Sequence, residues 1–169
     1  MFRLTLTWMV VPLAFEVATV TAQVRVPRTQ AESKVPVTVA LQIGSESYNA
    51  TSQGKCTHTT QASIYNVLAQ QWSVEQSDGQ RSLTLTLWRP QRGAGDMLSL
   101  GVNTAGKSHA VNTVKVGNQG DVKGSGTVTF APSGNGGTFT IAATAGDGAK
   151  ITGTIKCDAF TAPAPVAGD

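Results

Sequence analysis

Apolar residues fall at every second position in several separate stretches of this chain, and that period limits its fold more than any other feature of the sequence. From Pro36 to Gly44, Val37, Val39, Leu41 and Ile43 alternate with Thr38, Ala40 and Gln42. Successive side chains of a strand point to opposite faces, so this stretch is a strand with one face in a core. Thr127-Val128-Thr129-Phe130, Thr138-Phe139-Thr140-Ile141 and Ile151-Thr152-Gly153-Thr154-Ile155 repeat the pattern near the other end. Ser133-Gly134-Asn135-Gly136-Gly137 and Gly146-Asp147-Gly148 separate them, and such Gly- and Asn-rich breaks favour tight turns. The three segments therefore predict a meander of hairpins. Met97 to Asn103 and Lys107 to Val116, followed by a Gly-rich turn around Gly117 to Gly120, add two strands, and a short one carries Cys56 and His58.

Asp78-Gly79 suits a two-residue type I′ turn, whose central positions both need positive φ. Pairing outward from it sets Val74 opposite Leu83 and Trp72 opposite Leu85. Trp72, Val74, Leu83, Leu85 and Leu87 then share the core face, while Ser73, Glu75, Thr84, Thr86 and Trp88 face outward. Only Thr59 to Gln71, with Ile64, Val67 and Leu68, leaves room for a helical turn. The expectation is an all-β fold, an antiparallel β-sandwich or small barrel of about eight short strands.

The first 22 residues read as a secretory signal peptide, with Arg3 as a positive start, an apolar stretch from Leu4 to Phe15, and Val20-Thr21-Ala22 as cleavage site. Pro12 and Glu16 interrupt that stretch, which falls short of the roughly 20 clean apolar residues of a bilayer span. The mature chain then begins at Gln23, secreted or periplasmic, without a transmembrane segment. Residues 23–34 are expected to be a flexible N-terminal segment, 35–159 the β domain, and 160–169 an Ala/Pro-rich tail. Two cysteines in an exported chain are most simply partners, which predicts one disulfide, Cys56 to Cys157.

Charged residues make up 14% of the chain, about half the usual share. The basic residues Lys34, Lys55, Arg81, Lys107, Lys123 and Lys150 are scattered rather than clustered, which argues against a nucleic-acid partner. An outer-membrane barrel needs strands of roughly ten residues and two aromatic girdles. Aromatics are only 6% here and many predicted strands are shorter.

Gly101-Val102-Asn103-Thr104-Ala105-Gly106-Lys107-Ser108 matches the phosphate-loop pattern in full. That mechanism requires a helix beginning at the lysine. The residues that follow, His109 to Val116, are strand-like, so Gly101, Gly106, Lys107 and Ser108 read as a hairpin loop and the match as spurious. His58 and His109 are the only histidines. With the cysteines paired they cannot assemble the three or four ligands of a zinc site, so no metal and no cofactor are expected. Ser108 and His109 are neighbours on a strand and point apart, which is poor geometry for a nucleophile and its base. Glu46, Glu75, Asp96, Asp121 and Asp147 lie in separate segments, and no catalytic residue is assigned. Asn49-Ala50-Thr51 fits the glycosylation acceptor pattern but is common by chance.

The candidate ligand-binding residues are Trp88, Arg89 and Arg92, where an outward aromatic precedes two guanidinium groups in a Pro-containing loop. Such a surface can stack on a sugar or grip an acidic partner. The bland alternative is that Trp88 packs beneath a neighbouring loop. In outline, two cysteines in a Thr- and Gly-rich exported domain resemble mycobacterial surface lipoprotein antigens. The lipid-acceptor cysteine is missing, no specific motif matches, and no residue role carries over. The sequence thus points to an exported, non-catalytic β domain, a binding or envelope-associated module whose partner class is a glycan or an envelope protein. The alternative is a hydrolase acting on envelope polymers.

Overall fold

A computed structural model describes residues 33–104, 106–115 and 121–163. The signal segment, most of the 23–34 segment, the turn at 117–120 and the end of the tail lie outside the described residues. The strands are β1 (Val35–Ile43), β2 (Glu46–Ile64), β3 (Val67–Ser77), β4 (Ser82–Pro90), β5 (Met97–Thr104), β6 (Lys107–Asn112), β7 (Ser125–Ser133), β8 (Gly136–Thr144) and β9 (Lys150–Cys157). All belong to one sheet, in the order β6-β5-β4-β3-β2-β1-β9-β8-β7. Of the two architectures expected, the chain adopts the barrel, nearly closed.

Strand parity explains why closure is incomplete. Every neighbouring pair is antiparallel. Nine alternating strands leave the two end strands, β6 and β7, running in the same direction, so they cannot complete the antiparallel ladder directly. The chain closes the seam with the residues just before β7. Asn112 and Lys123 exchange two backbone hydrogen bonds of 2.7 and 3.0 Å, and Gly146 N donates to Ala110 O at 2.9 Å.

Only the β1–β9 pairing joins strands distant in sequence, and two features fit it. Gly153 of β9 has φ +133°, and a Cβ there would lie 2.1 Å from Ala40 O on β1, so only glycine admits this close approach. The disulfide Cys56–Cys157 then steps over β1 from β2 to β9, with both residues buried.

Alternation fills the interior. Val37, Val39, Leu41, Tyr48, Trp72, Val74, Leu83, Leu85, Leu87, Leu98, Leu100, Phe139, Ile141 and Ile155 form one continuous core. The buried Tyr48 hydroxyl donates to the Gln76 carbonyl, and Gln76 Nε2 donates to Ser52 Oγ at 2.5 Å, so the central polar groups are satisfied. Outward positions on β1 are Pro36, Thr38, Ala40 and Gln42, all exposed. An apolar inside and a polar outside reverse the pattern of a lipid-facing barrel. No helix among the described residues is long and apolar enough to cross a membrane.

Two local expectations need correction. The β3–β4 hairpin pairs Ser77 with Ser82, Val74 with Leu85 and Trp72 with Leu87, two residues away from the predicted register. Asp78 does not adopt positive φ, and its carboxylate instead accepts from the backbone N–H groups of Gln80 and Arg81, which widens the turn to four residues. A shift of two preserves every face, so the predicted core set stands. Thr59 to Gln71 holds no helical turn. There β2 continues to Ile64 with a bulge between Thr59 and Ala62, and β3 returns from Val67. Tyr65 and Asn66, at φ 50° and 60°, make the positive-φ two-residue turn that Asp78-Gly79 does not.

The folded unit also reaches into residues 160–169. Phe160 N donates to Asn135 O, Thr161 N to Cys56 O, and His58 N to Thr161 O, forming a strap across one barrel mouth.

Candidate functional site

Because the interior is packed, chemistry is confined to the two rims and the outer wall. One rim carries the turns β1–β2, β3–β4, β5–β6 and β8–β9. Here Gly101 lies within β5, Gly106 turns at φ +82°, and Lys107 and Ser108 open a strand, not a helix. Lys107 Nζ donates to Glu46 Oε1 at 2.9 Å, and Thr104 Oγ1 donates to Glu46 Oε2 at 2.9 Å. The Lys107 bond, then that of Thr104, holds the Glu46 carboxyl below its usual range, and Glu46 in turn raises the Lys107 ammonium. Lys107 is thus held by a carboxylate.

Beside it, His109 is buried, with Nδ1 2.7 Å from Asp147 Oδ2. The Ala149 backbone N–H, followed by His109, keeps the Asp147 carboxyl below its usual range. A carboxylate that orients a histidine is two-thirds of a nucleophilic triad. The third member does not converge: Ser108 is exposed on the opposite face of β6, and the Thr104 hydroxyl is committed to Glu46.

The opposite rim is aromatic. His58 stacks on Trp72 with centroids 4.7 Å apart, Trp72 meets Phe130 at 5.0 Å, and Phe160 of the strap packs edge-on to Phe130 and Phe139. A shallow depression of about 430 Å³ lies among Trp72, Phe130, Asn135 and Phe160. His58 Nε2 is buried and makes no hydrogen bond among the described residues. Trp72 is covered on further sides by His58 and by the Arg89 guanidinium, 5.4 Å from its ring, so it offers no open stacking face. Among the described residues no three His, Cys, Asp or Glu side chains gather as a metal site.

The expected platform of Trp88, Arg89 and Arg92 is divided: Trp88 lies on the outer wall, whereas Arg89 shares the inner face with Leu87 and lies over the Trp72 ring. Trp88 faces outward from β4 but is half-buried beside Ile64, Ala69, Val114 and Met97, with its indole N–H donating to Gln71 Oε1 at 3.1 Å. Arg89 forms a two-pronged pair with Asp96 at 3.0 and 2.7 Å, which raises its guanidinium further. Arg92 is exposed in the β4–β5 loop.

The residues that complete a surface beside Arg92 are Tyr65 and Leu68, 60% and 43% exposed at the β2–β3 tip. Tyr65 Oη donates to Lys115 O at 2.5 Å, and Gln91 N donates to Leu68 O at 2.9 Å. Lys115 and Arg92 therefore flank the tip, both exposed, and neither forms an ion pair among the described residues. Asn66 next to a bulky aromatic was the one sequence signal of this turn, and the helical spacing of Ile64, Val67 and Leu68 hid it. The chain matches no protein-family model, no curated protein and no solved structure.

Proposed function

We propose that the chain is an exported, non-catalytic binding module held at the cell envelope by the tip of its β2–β3 hairpin. The observation that carries this reading is Tyr65. A left-handed backbone costs an ordinary L-residue roughly 1–2 kcal/mol, whereas Gly or Asn adopts it readily. Tyr65 sits there at φ 50°, and its side chain is 60% exposed rather than packed in the core. The hydrogen bond to Lys115 O returns about 0.5–1.5 kcal/mol, which offsets the strain without exceeding it by much. Stability alone does not account for a tyrosine here. A rigidly held, exposed aromatic does suit binding, because little side-chain freedom remains to be lost on contact. The disulfide is consistent with an oxidising compartment.

Tyr65→Asn tests the reading. Asn accepts the same φ, so the melting temperature should stay equivalent to within about 1 kcal/mol of stability. Association of the exported protein with the envelope fraction should fall at least tenfold. Unchanged fractionation of a stably folded Tyr65→Asn protein would defeat the proposal.

The hydrolase reading draws on the His109–Asp147 pair. It requires turnover of an ester or envelope polymer that His109→Ala abolishes, and it fails if purified protein turns over none.

A further inference from the structure

Resting on the reading above, the chemistry of the tip identifies what it touches. Tyr65 in the turn and Leu68 at the start of β3 are both exposed; the Tyr65 hydroxyl bonds the backbone of the exposed Lys115, and the Leu68 carbonyl accepts from Gln91, next to the exposed Arg92. The carboxylate in the same loop as Arg92, Asp96, is already held by Arg89. The tip and its immediate neighbours thus offer two exposed apolar side chains and two exposed cations. Four side chains around one turn cover far less than the roughly 1,200 Å² that a stable protein–protein interface buries. A protein partner would have to extend well beyond the tip. A bilayer surface demands no such area: aromatic rings rest at the headgroup level, short apolar side chains enter just below, and nearby Lys and Arg meet lipid phosphates.

We infer that the β2–β3 tip docks onto an anionic lipid bilayer, with Tyr65 and Leu68 in the interface and Lys115 and Arg92 on the headgroup phosphates. The tip is built to project. β2 continues from Lys55 to Ile64 beyond Gly54, its last partner on β1, so the turn stands past the end of the β1–β2 ladder. Beneath it, Ile64, Ala69, Val114, Trp88 and Met97 form a small apolar base separate from the main core. That packing gives Trp88 a role different from the ligand platform the sequence suggested: it supports the hairpin.

The test uses purified mature protein and extruded vesicles, either pure phosphatidylcholine or phosphatidylcholine with about 30% phosphatidylglycerol, read by co-sedimentation. Binding is expected only to the anionic vesicles and should weaken with added salt. Each surface cation contributes about 1 kcal/mol, so Arg92→Glu and Lys115→Glu should each lower the partition coefficient at least fivefold. Leu68→Ser and Tyr65→Asn should lower it at any salt concentration. A tip-distant charge reversal, Lys150→Glu, controls for net charge and should act less than twofold. Equal binding of all variants, or no binding to anionic vesicles, overturns the inference. Envelope association that needs Tyr65 in cells, together with absent vesicle binding, would reject the lipid and leave the binding-module reading standing with a protein partner.

Discussion

Reduction of Cys56–Cys157 is the perturbation whose size the structure fixes best. The bond closes a loop with a sequence separation of 101 residues. In the chain-entropy picture, releasing a loop of about 100 residues frees the unfolded ensemble by up to roughly 4.7 kcal/mol, and typical measured losses are about 2–4 kcal/mol. For a domain of roughly 125 residues, an unfolding entropy of about 2.1 cal/mol/K per residue makes each kcal/mol worth about 4 °C. The melting temperature of the reduced protein should therefore fall by about 8–18 °C. Reduced wild-type protein isolates this effect, because both sulfurs remain in place and no cavity forms. Both cysteines are buried, so reduction should be carried out in denaturant, followed by refolding with reductant present. Urea titrations give a second reading: an uncrosslinked unfolded chain exposes more surface, so the slope m should rise as stability falls. A shift below about 4 °C with unchanged m would refute the loop argument and would mean that the β1–β9 ladder alone fixes the ends of the barrel.

Leu85 is 1% exposed in the core, so Leu85→Ala should cost about 2–5 kcal/mol in urea unfolding. Gly153→Ala should be destabilising by more than about 2 kcal/mol, because strain at φ +133° adds to a Cβ clash with Ala40 O; native-like melting would show that the β1–β9 approach can relax. Acid should destabilise the fold. Glu46, Asp78 and Asp147 all titrate below their ordinary values of 4.5, 3.8 and 3.8 when folded, so their contribution is present above those values and is lost as pH falls through the lowered ones. Melting temperature measured from pH 6 to 2 should decline from about pH 4.5 downward, and Asp78→Asn should flatten part of that decline.

The period-two signal made faces legible and left registers obscure. Trp72, Val74, Leu83, Leu85 and Leu87 are all buried, as alternation requires, even though their partners are shifted by two. The meander of β7, β8 and β9 was readable because its Gly-rich turns are local. What escaped was decided by contacts that local sequence does not encode. The Asp78 carboxylate captures two backbone N–H groups and widens a turn that composition alone assigns to type I′. The β2–β3 ladder, beginning at Lys55–Glu75, carries a segment of helical spacing into a strand. The pairing of His109 with Asp147 spans 38 residues, and the tip draws on Tyr65, Leu68, Arg92 and Lys115 from three separate segments. Trp88 was correctly assigned to the outer face, but its cover comes from Ile64 and Val114, which a strand-by-strand reading does not bring near it.

The filled interior and the strained tip bear on each other. Many small barrels bind within their mouths, but here Tyr48, Phe139 and the core leucines fill the inside, and Phe160 closes one end. Among the described residues the barrel interior is filled by side chains, so on the proposed reading recognition falls to an element outside it, the β2–β3 tip. That element need not be optimal for folding. The exposed Tyr65 at positive φ and the two exposed cations are destabilising or neutral locally, and a core of this size tolerates them. If the tip were only a connector, Tyr65→Asn would leave both stability and envelope association unchanged. If it is the contact surface, the same substitution separates the two quantities, leaving stability intact while envelope association fails.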